Sequence, residues 1–392
     1  MYKILTLNNI AVEGLRRLPR ERYEVASEIA HPDAILLRSH NMHDMDIPET
    51  VTAVGRAGAG TNNIPCAELA GRGVPVFNAP GANANAVKEL AIAGMLLGAR
   101  NLASASEYVK TLRETGEDLK KAVESGKKQF VGFELPGKTL GIIGLGAIGV
   151  EVANAALDLG MKVVGYDPAI TVRNAWQLSA GVELEETLDQ LFQHADFVSC
   201  HVPLLDATRN MVDAERIALM NDGAVLINFA RGGIVDDAAA MAALDSGKLH
   251  AFVTDFPTPE LIAHPQVVAL PHLGASTGEA EENCAIMVAQ NVKDYLENGN
   301  VRHAVNFPEA RLPRLDAWRI TIANRNVPNM VGQISTCIAD AGLNIEDLLN
   351  KSLGELAYTI VDVNGEPTDA LLDALRSIDG VLILRNLGKP VT

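Results

Sequence analysis

The chain reads as an α/β protein: two doubly wound parallel-sheet domains followed by a small C-terminal βαββαβ unit. Short apolar runs recur as far as Leu270, most closed by polar or glycine-rich residues, which is the pattern of strands buried on both faces of a parallel sheet. Amphipathic stretches separate most of them, as βαβ crossovers require. After a segment with two prolines, Phe307 to Pro313, the order of elements changes to βαββαβ.

Composition narrows the possibilities. A length of 392 residues suits two or three domains, and 48% hydrophobic with 21% charged residues is globular composition. With 33 Lys+Arg against 49 Asp+Glu the net charge is −16, which disfavours nucleic acid and anionic lipid as partners. An anionic ligand then needs a local cluster of cations. Cys66, Cys200, Cys284 and Cys337 lie far apart without a C-x-x-C pair, so neither zinc, a redox motif nor a disulfide framework is indicated. His40, His43, Asp44 and Asp46 read as a solvated loop, and no metal is expected. Met1 to Asn9 turns polar too early for a signal-peptide core, and no run of about 18 apolar residues exists, so a cytoplasmic location is expected.

Taken in order, Lys3–Leu7, Ala34–Leu37, Thr52–Val54 and Val74–Phe77 are expected strands. They end in Asn8-Asn9, Arg38-Ser39, Gly55 to Gly60 and Asn78 to Gly81. Ligands gather at such carboxyl ends. Asn83 to about Leu112 has helical periodicity through Val87, Leu90, Ala91, Met95 and Leu102, and a charged stretch from Glu117 to Lys128 follows. A second series of strands runs through Leu140–Ile143, Lys162–Tyr166, Phe197–Cys200, Ala224–Asn228, Phe252–Asp255 and Val267–Leu270. A long helix is expected over Glu279–Leu296. The last unit has strands at Trp318–Ala323, from Asn344, at Glu355–Val363 and at Val381–Leu387, with helices at Met330–Ala341 and Thr368–Ile378.

Gly144, Gly146 and Gly149 form G-x-G-x-x-G after an apolar strand and at the start of a helix over Ile148–Leu159. The first glycine permits the tight turn, the second lets backbone approach a pyrophosphate, and the third lets helix pack on strand. The helix N-terminus attracts the phosphates. Asp167 ends the next strand, about 20 residues on, where a carboxylate hydrogen-bonds ribose hydroxyls and repels a 2′-phosphate. NAD is therefore the expected cofactor. Three further strand ends each carry an ionisable side chain: Arg231 in Ile227–Gly233, Glu260 in Asp255–Glu260, and His272 in Pro271–Thr277. Oxidising an alcohol needs a base, and histidine titrates in the right range. A carboxylate beside it stabilises the imidazolium, and an arginine holds a substrate carboxylate bidentately.

These segments, with Arg56-Ala57-Gly58-Ala59-Gly60, resemble the D-2-hydroxyacid dehydrogenase family over nearly the whole chain. The resemblance implies Arg231, Glu260 and His272 as catalytic residues. It implies cofactor contacts at Ala147, Ile148, Asp167, His201, Val202, Pro203, Phe229, Ala230, Arg231, Asp255, His272, Leu273, Gly274 and Ala275. Asp255 would bind the nicotinamide carboxamide or orient Arg231. Arg38, Ser39, Arg56, Ala57, Gly58 and Asn78 would contact substrate, and the two arginines suit a phosphorylated hydroxy acid, 3-phosphoglycerate. Lys127-Lys128 reads either as a further phosphate contact or as a solvated face. A glyoxylate- or lactate-type dehydrogenase and a non-catalytic NAD-sensing corepressor remain as alternatives.

The C-terminal unit is ferredoxin-like in its order of elements and resembles an ACT domain through Asn324 to Val331 and Ala341 to Ile345. That resemblance implies an L-serine effector held by Asn324, Asn326 and Asn344 between paired units. Asn329 stands where glycine is usual and Asn324 where histidine is. The expected division is a split substrate domain over 1–85 and 278–305, a Rossmann-like NAD domain over 86–277 and an ACT-like domain over 316–392. A homo-oligomer, simplest as a tetramer, is expected, and deleting the chain after Pro313 is expected to spare catalysis.

Overall fold

The computed structural model describes residues 1–114 and 118–390. Glu117, where the charged stretch of the sequence begins, and residues 391–392 of the last unit lie outside them. The chain separates into two compact bodies, Met1–Ala82 with Glu281–Thr392, and Asn83–Ala280.

In the first body β1 (Tyr2–Leu7), β2 (Tyr23–Ala26), β3 (Ala34–Leu37), β4 (Ala53–Arg56) and β5 (Val76–Phe77) form a parallel sheet in the order β2-β1-β3-β4-β5. Ile4, Leu36 and Phe77 face one core, shared with Val288, Val292 and Tyr295 of the helix Gly278–Asn298. Leu5, Ile35, Leu37 and Val54 face a second core closed by Met42, Ile47 and Leu69. Burial on both faces explains why β3 is apolar at every position and why β1 and β4 are apolar through their centres.

The second body holds β6 (Thr139–Ile143), β7 (Lys162–Tyr166), β8 (Val182–Leu184), β9 (Phe197–Cys200), β10 (Ala224–Asn228), β11 (Leu249–Thr254) and β12 (Val267–Ala269). All are parallel, in the order β12-β11-β10-β9-β6-β7-β8. The strand order reverses between β6 and β9, which places a ligand crevice at their carboxyl ends. Helices Ala84–Arg100 and Ala147–Asp158 cover one face; Leu188–His194 and Asp237–Asp245 cover the other.

The C-terminal sheet of β13 (Trp318–Arg325), β14 (Ile345–Leu353), β15 (Leu356–Val363) and β16 (Val381–Gly388) is antiparallel, in the order β14-β15-β13-β16. Ile320, Ile322 and Val361 pack under helices Met330–Asp340 and Asp369–Arg376. The alternate residues do something that the sequence pattern did not announce. Ala323, Tyr358 and Ile360 share one core with Tyr295 and Phe307, so this sheet is part of the first body. Arg319, fully buried, pairs with Asp362 at 2.6 Å and donates to the carbonyls of Asn298, Leu312 and Pro313.

Two strands, β2 and β8, were not expected, and both are edge strands. Each is short and carries an exposed glutamate, Glu24 or Glu183, so neither shows an unbroken apolar run. The expected helix from Asn83 to about Leu112 is broken at Asn101, which sits in the left-handed region at φ 51°. Asparagine tolerates that conformation, and the helix beyond it buries none of its residues, with Leu102 of the expected apolar face exposed. Among the described residues no helix is long and apolar enough to cross a membrane.

Candidate active site

The glycine turn follows β6. Gly144 takes φ +93°, and a Cβ there would meet the His201 carbonyl oxygen at 2.8 Å. A Cβ on Gly149 would overlap the Gly144 carbonyl oxygen, while one on Gly146 would meet nothing within 4 Å. The turn thus closes tightly below and stays open above. The helix Ala147–Asp158 starts with no side-chain cap and no acidic residue in its first turn. Its first N–H groups therefore have no side-chain acceptor and favour an anion. Asp167, just past β7, accepts from the Leu145 and Ala169 N–H groups, both at 2.8 Å. These bonds fix the carboxylate beside the turn and leave each oxygen a lone pair for a hydroxyl.

At the end of β9, His201 contacts the Ser199 hydroxyl at 2.9 Å through Nε2. Burial pushes its pKa down to about 4, so the ring is neutral near pH 7 and lines the crevice without charge. Val202 packs with the apolar cluster on this side of the sheet.

The three ionisable strand ends are positioned by polar residues, of which Asn228 and Asp255 are buried. Asn228, the last residue of β10, donates from Nδ2 to the Arg231 carbonyl at 2.9 Å and accepts the Ala230 N–H at 3.1 Å. It holds the loop so that Arg231 stands exposed, with Nη1 donating to the Ala230 carbonyl. Past β11, Thr258 caps the short helix Pro259–Ala263 and leaves Glu260 exposed on its first turn. Past β12, His272 takes φ 48°, a conformation histidine adopts more readily than most residues. Its N–H donates to the Asp255 carbonyl at 3.0 Å, and its ring lies 4.9 Å from that of Phe256.

Asp255 is 1% exposed. Its Oδ2 accepts the Gly274 N–H at 3.1 Å, and its Oδ1 is buried without a partner. Burial pushes the carboxyl pKa up, opposed by the Gly274 hydrogen bond and the His272 charge. The structure therefore brings Asp255 to His272 and Gly274. Among the described residues it makes no hydrogen bond or ion pair between Asp255 and Arg231, or between Glu260 and His272. Both Glu260 and His272 are exposed, so water screens any attraction between them. These features fit NAD: an open glycine turn, an uncapped helix end, a carboxylate at the ribose position, and a buried acceptor suited to a carboxamide N–H.

In the first body, Arg56 closes β4 and donates from Nε to the Arg38 carbonyl at 3.0 Å. Arg38 itself pairs with Glu281 at 2.5 Å. Asn63 donates to the Arg38 and His40 carbonyls, and Asn78 donates to the Ala59 carbonyl at 2.6 Å. The two arginines, Ser39 and the Ala57-Gly58 turn are thus gathered at neighbouring strand ends. In the C-terminal sheet Asn326 and Asn344 are exposed, whereas Asn324 is fully buried and donates to the Arg325 carbonyl. Lys127 is exposed and pairs with Glu124 one turn away.

Sequence reasoning passed over Asn228, Phe256 and Glu281. Asn228 had a signal, a polar residue closing an otherwise apolar strand. Phe256 and Glu281 had none, because nothing in the residue order brings Phe256 onto His272 or Glu281 to Arg38.

Comparison with known proteins gives a consistent result. The family described as D-isomer specific 2-hydroxyacid dehydrogenase, NAD binding domain, matches residues 92–274. The chain is 34% identical over 381 residues to a D-3-phosphoglycerate dehydrogenase of Methanocaldococcus jannaschii, covering 93% of this chain and 69% of that one. It is 33% identical over 384 residues to the D-3-phosphoglycerate dehydrogenase of Escherichia coli K12, covering 94% and 90%. Among solved structures it is similar to NAD+-bound 3-phosphoglycerate dehydrogenase of Entamoeba histolytica, with TM-score 0.61, 27% identity and coverage of 78% and 98%. It is also similar to holo D-mandelate dehydrogenase of Rhodotorula graminis, with TM-score 0.64, 26% identity and coverage of 77% and 96%.

Proposed function

The chain belongs to the D-isomer specific 2-hydroxyacid dehydrogenase family, and from that premise we propose that it oxidises 3-phospho-D-glycerate to 3-phosphohydroxypyruvate, the first step of L-serine biosynthesis. One observation carries the choice of substrate. The likeness to D-3-phosphoglycerate dehydrogenases runs over nearly the whole length of this chain, including the C-terminal sheet.

NAD, when bound, accepts the hydride from C2 of the substrate. The residues of this chain do the rest. His272 accepts the C2 hydroxyl proton, which must leave as the carbonyl forms. Glu260 supports the resulting imidazolium once substrate and cofactor exclude water around the pair. Arg231 holds the substrate carboxylate through its guanidinium fork. Asp255, buried, offers Oδ1 to the carboxamide. Gly144, Gly146, Gly149, Ala147 and Ile148 cradle the pyrophosphate. Asp167 takes the ribose, and His201, Val202, Pro203, Phe229, Ala230, Leu273, Gly274 and Ala275 line the crevice. To the phosphate we assign Arg38 and Arg56, with Ser39, Ala57, Gly58 and Asn78 beside them.

The reading extends to three functional domains with the boundaries expected from the sequence, a cytoplasmic enzyme and a homo-oligomer. It also includes L-serine as an effector bound between paired C-terminal sheets, for which the exposed Asn326 and Asn344 are the accessible amides. The test is NADH formation with 3-phosphoglycerate, against lactate and glycolate, with NADP in place of NAD, and with and without L-serine. Faster turnover of an unphosphorylated acid would reassign the substrate, and absence of turnover on every acid would favour a sensor.

A further inference from the structure

The first body contains a cavity of about 460 Å³ that the dehydrogenase reading does not use. One wall is the helix Gly278–Asn298, through Met287, Gln290, Asn291 and Asp294; the other is Arg302 with His303. The second wall is held in place beside β5, where the Asn78 N–H donates to the His303 carbonyl at 3.0 Å and the Val305 N–H to the Val76 carbonyl at 2.9 Å.

Each wall carries a buried donor without an acceptor. Asn291 is 5% exposed, and its Nδ2 has no partner. Arg302 is half-buried, and its Nε is enclosed without one. Buried donors are nearly always satisfied in folded proteins, so two unmet donors on residues that line one cavity mark a place for an acceptor. The volume falls within the range of small-molecule sites and far exceeds that of one water. Of the two donors the guanidinium sets the charge of the ligand, since it matches a planar oxyanion. Asp294 is on the same wall, its Oδ1 accepting from Asn298 and Asn300 at 2.9 and 3.0 Å. A carboxylate there repels a phosphate dianion more than a monoanion. Met287 supplies apolar surface.

We propose that this cavity binds a small organic monocarboxylate, its oxygens on Arg302 and Asn291 and its carbon skeleton against Met287. The site stands apart from the residues assigned to catalysis, and its binding measurement does not depend on the substrate. Isobutyrate is titrated calorimetrically into the full chain carrying Arg231→Ala, which removes the carboxylate-binding arginine assigned to the reaction. Saturable heat is expected, at least tenfold weaker when Arg302→Gln or Asn291→Asp is added, and unaffected by inorganic phosphate. Arg302→Gln alone is expected to form NADH at the unmodified rate, which also reports that it folds. No heat, undiminished heat in either double variant, displacement by phosphate, or slowed turnover in Arg302→Gln would overturn the assignment.

Discussion

His272 owes its position to a left-handed backbone residue, a hydrogen bond to the Asp255 carbonyl and a ring contact with Phe256, none of which involves its imidazole nitrogens. Both nitrogens are therefore left for chemistry. His272→Ala is expected to lower turnover by about 10²–10⁴ while NAD binding survives. Near-normal turnover in steady-state assays would remove His272 from its role. Glu281 sets a second expectation. It pairs with Arg38, which we assign to the substrate phosphate, so an incoming anion must displace a carboxylate. Both partners are partly exposed, and such pairs contribute at most about 1 kcal/mol, or roughly fivefold in affinity. Glu281→Gln is expected to lower KM for 3-phosphoglycerate by up to about that factor with kcat unchanged; a raised KM would show that the carboxylate assists binding. His201 gives a pH dependence. Burial lowers its pKa from 6.5 to about 4, so the unfolded chain binds more protons between those values. Its contribution to stability is present above pH 6.5 and is lost as pH falls toward 4. His201→Gln should flatten the loss of unfolding free energy over that window, measured by urea titration at several pH values.

Among the elements, the strands that carry site residues are held by polar side chains at their ends, and the C-terminal sheet is held by one buried ion pair. Arg319 on β13 and Asp362 on β15 share two hydrogen bonds of 2.6 Å, and the guanidinium's other donors satisfy the carbonyls of Asn298, Leu312 and Pro313. One arginine thus ties the sheet to the end of the long helix and to the proline segment. Removing one partner of such a pair leaves a buried charge uncompensated, at a cost of about 3–5 kcal/mol. Asp362→Ala should show that loss in urea unfolding, and Asp362→Asn a smaller one. A change below about 1 kcal/mol would mean that water replaces the carboxylate.

At the scale of the molecule, the expectation of a detachable tail after Pro313 meets a different arrangement. Tyr358 and Ile360 complete the core around Tyr295 and Phe307, the Tyr358 hydroxyl donates to the Gly299 carbonyl at 2.8 Å, and Arg385 donates to the carbonyls of Tyr295 and Leu296. Cutting at Pro313 would uncover two fully buried aromatic side chains of the remaining chain. Exposing each costs about 1.5–3 kcal/mol. The truncated protein is therefore expected to melt well below the full chain and to lose activity on warming first. Equal melting temperatures by calorimetry would restore the detachable tail.

Much of this was legible in residue order. Apolar runs buried on both faces and glycine spacing are local signals, so the parallel strands, the turn at Gly144–Gly149, Asp167, and the segments bearing Arg231, Glu260 and His272 could be read directly. So could the βαββαβ order. The edge strands Tyr23–Ala26 and Val182–Leu184 could not, because each is short and interrupted by a glutamate, Glu24 or Glu183, which removes the apolar run that marks a strand. Nor could the break at Asn101, since Leu102 continues the apolar spacing although the helix it begins buries none of its residues. The pairings Arg38–Glu281 and Arg319–Asp362, the ring of Phe256 on His272, and the docking of the C-terminal sheet all join residues distant in the chain. Each exists only once the backbone has brought its partners together, so packing, and no local pattern, decided them.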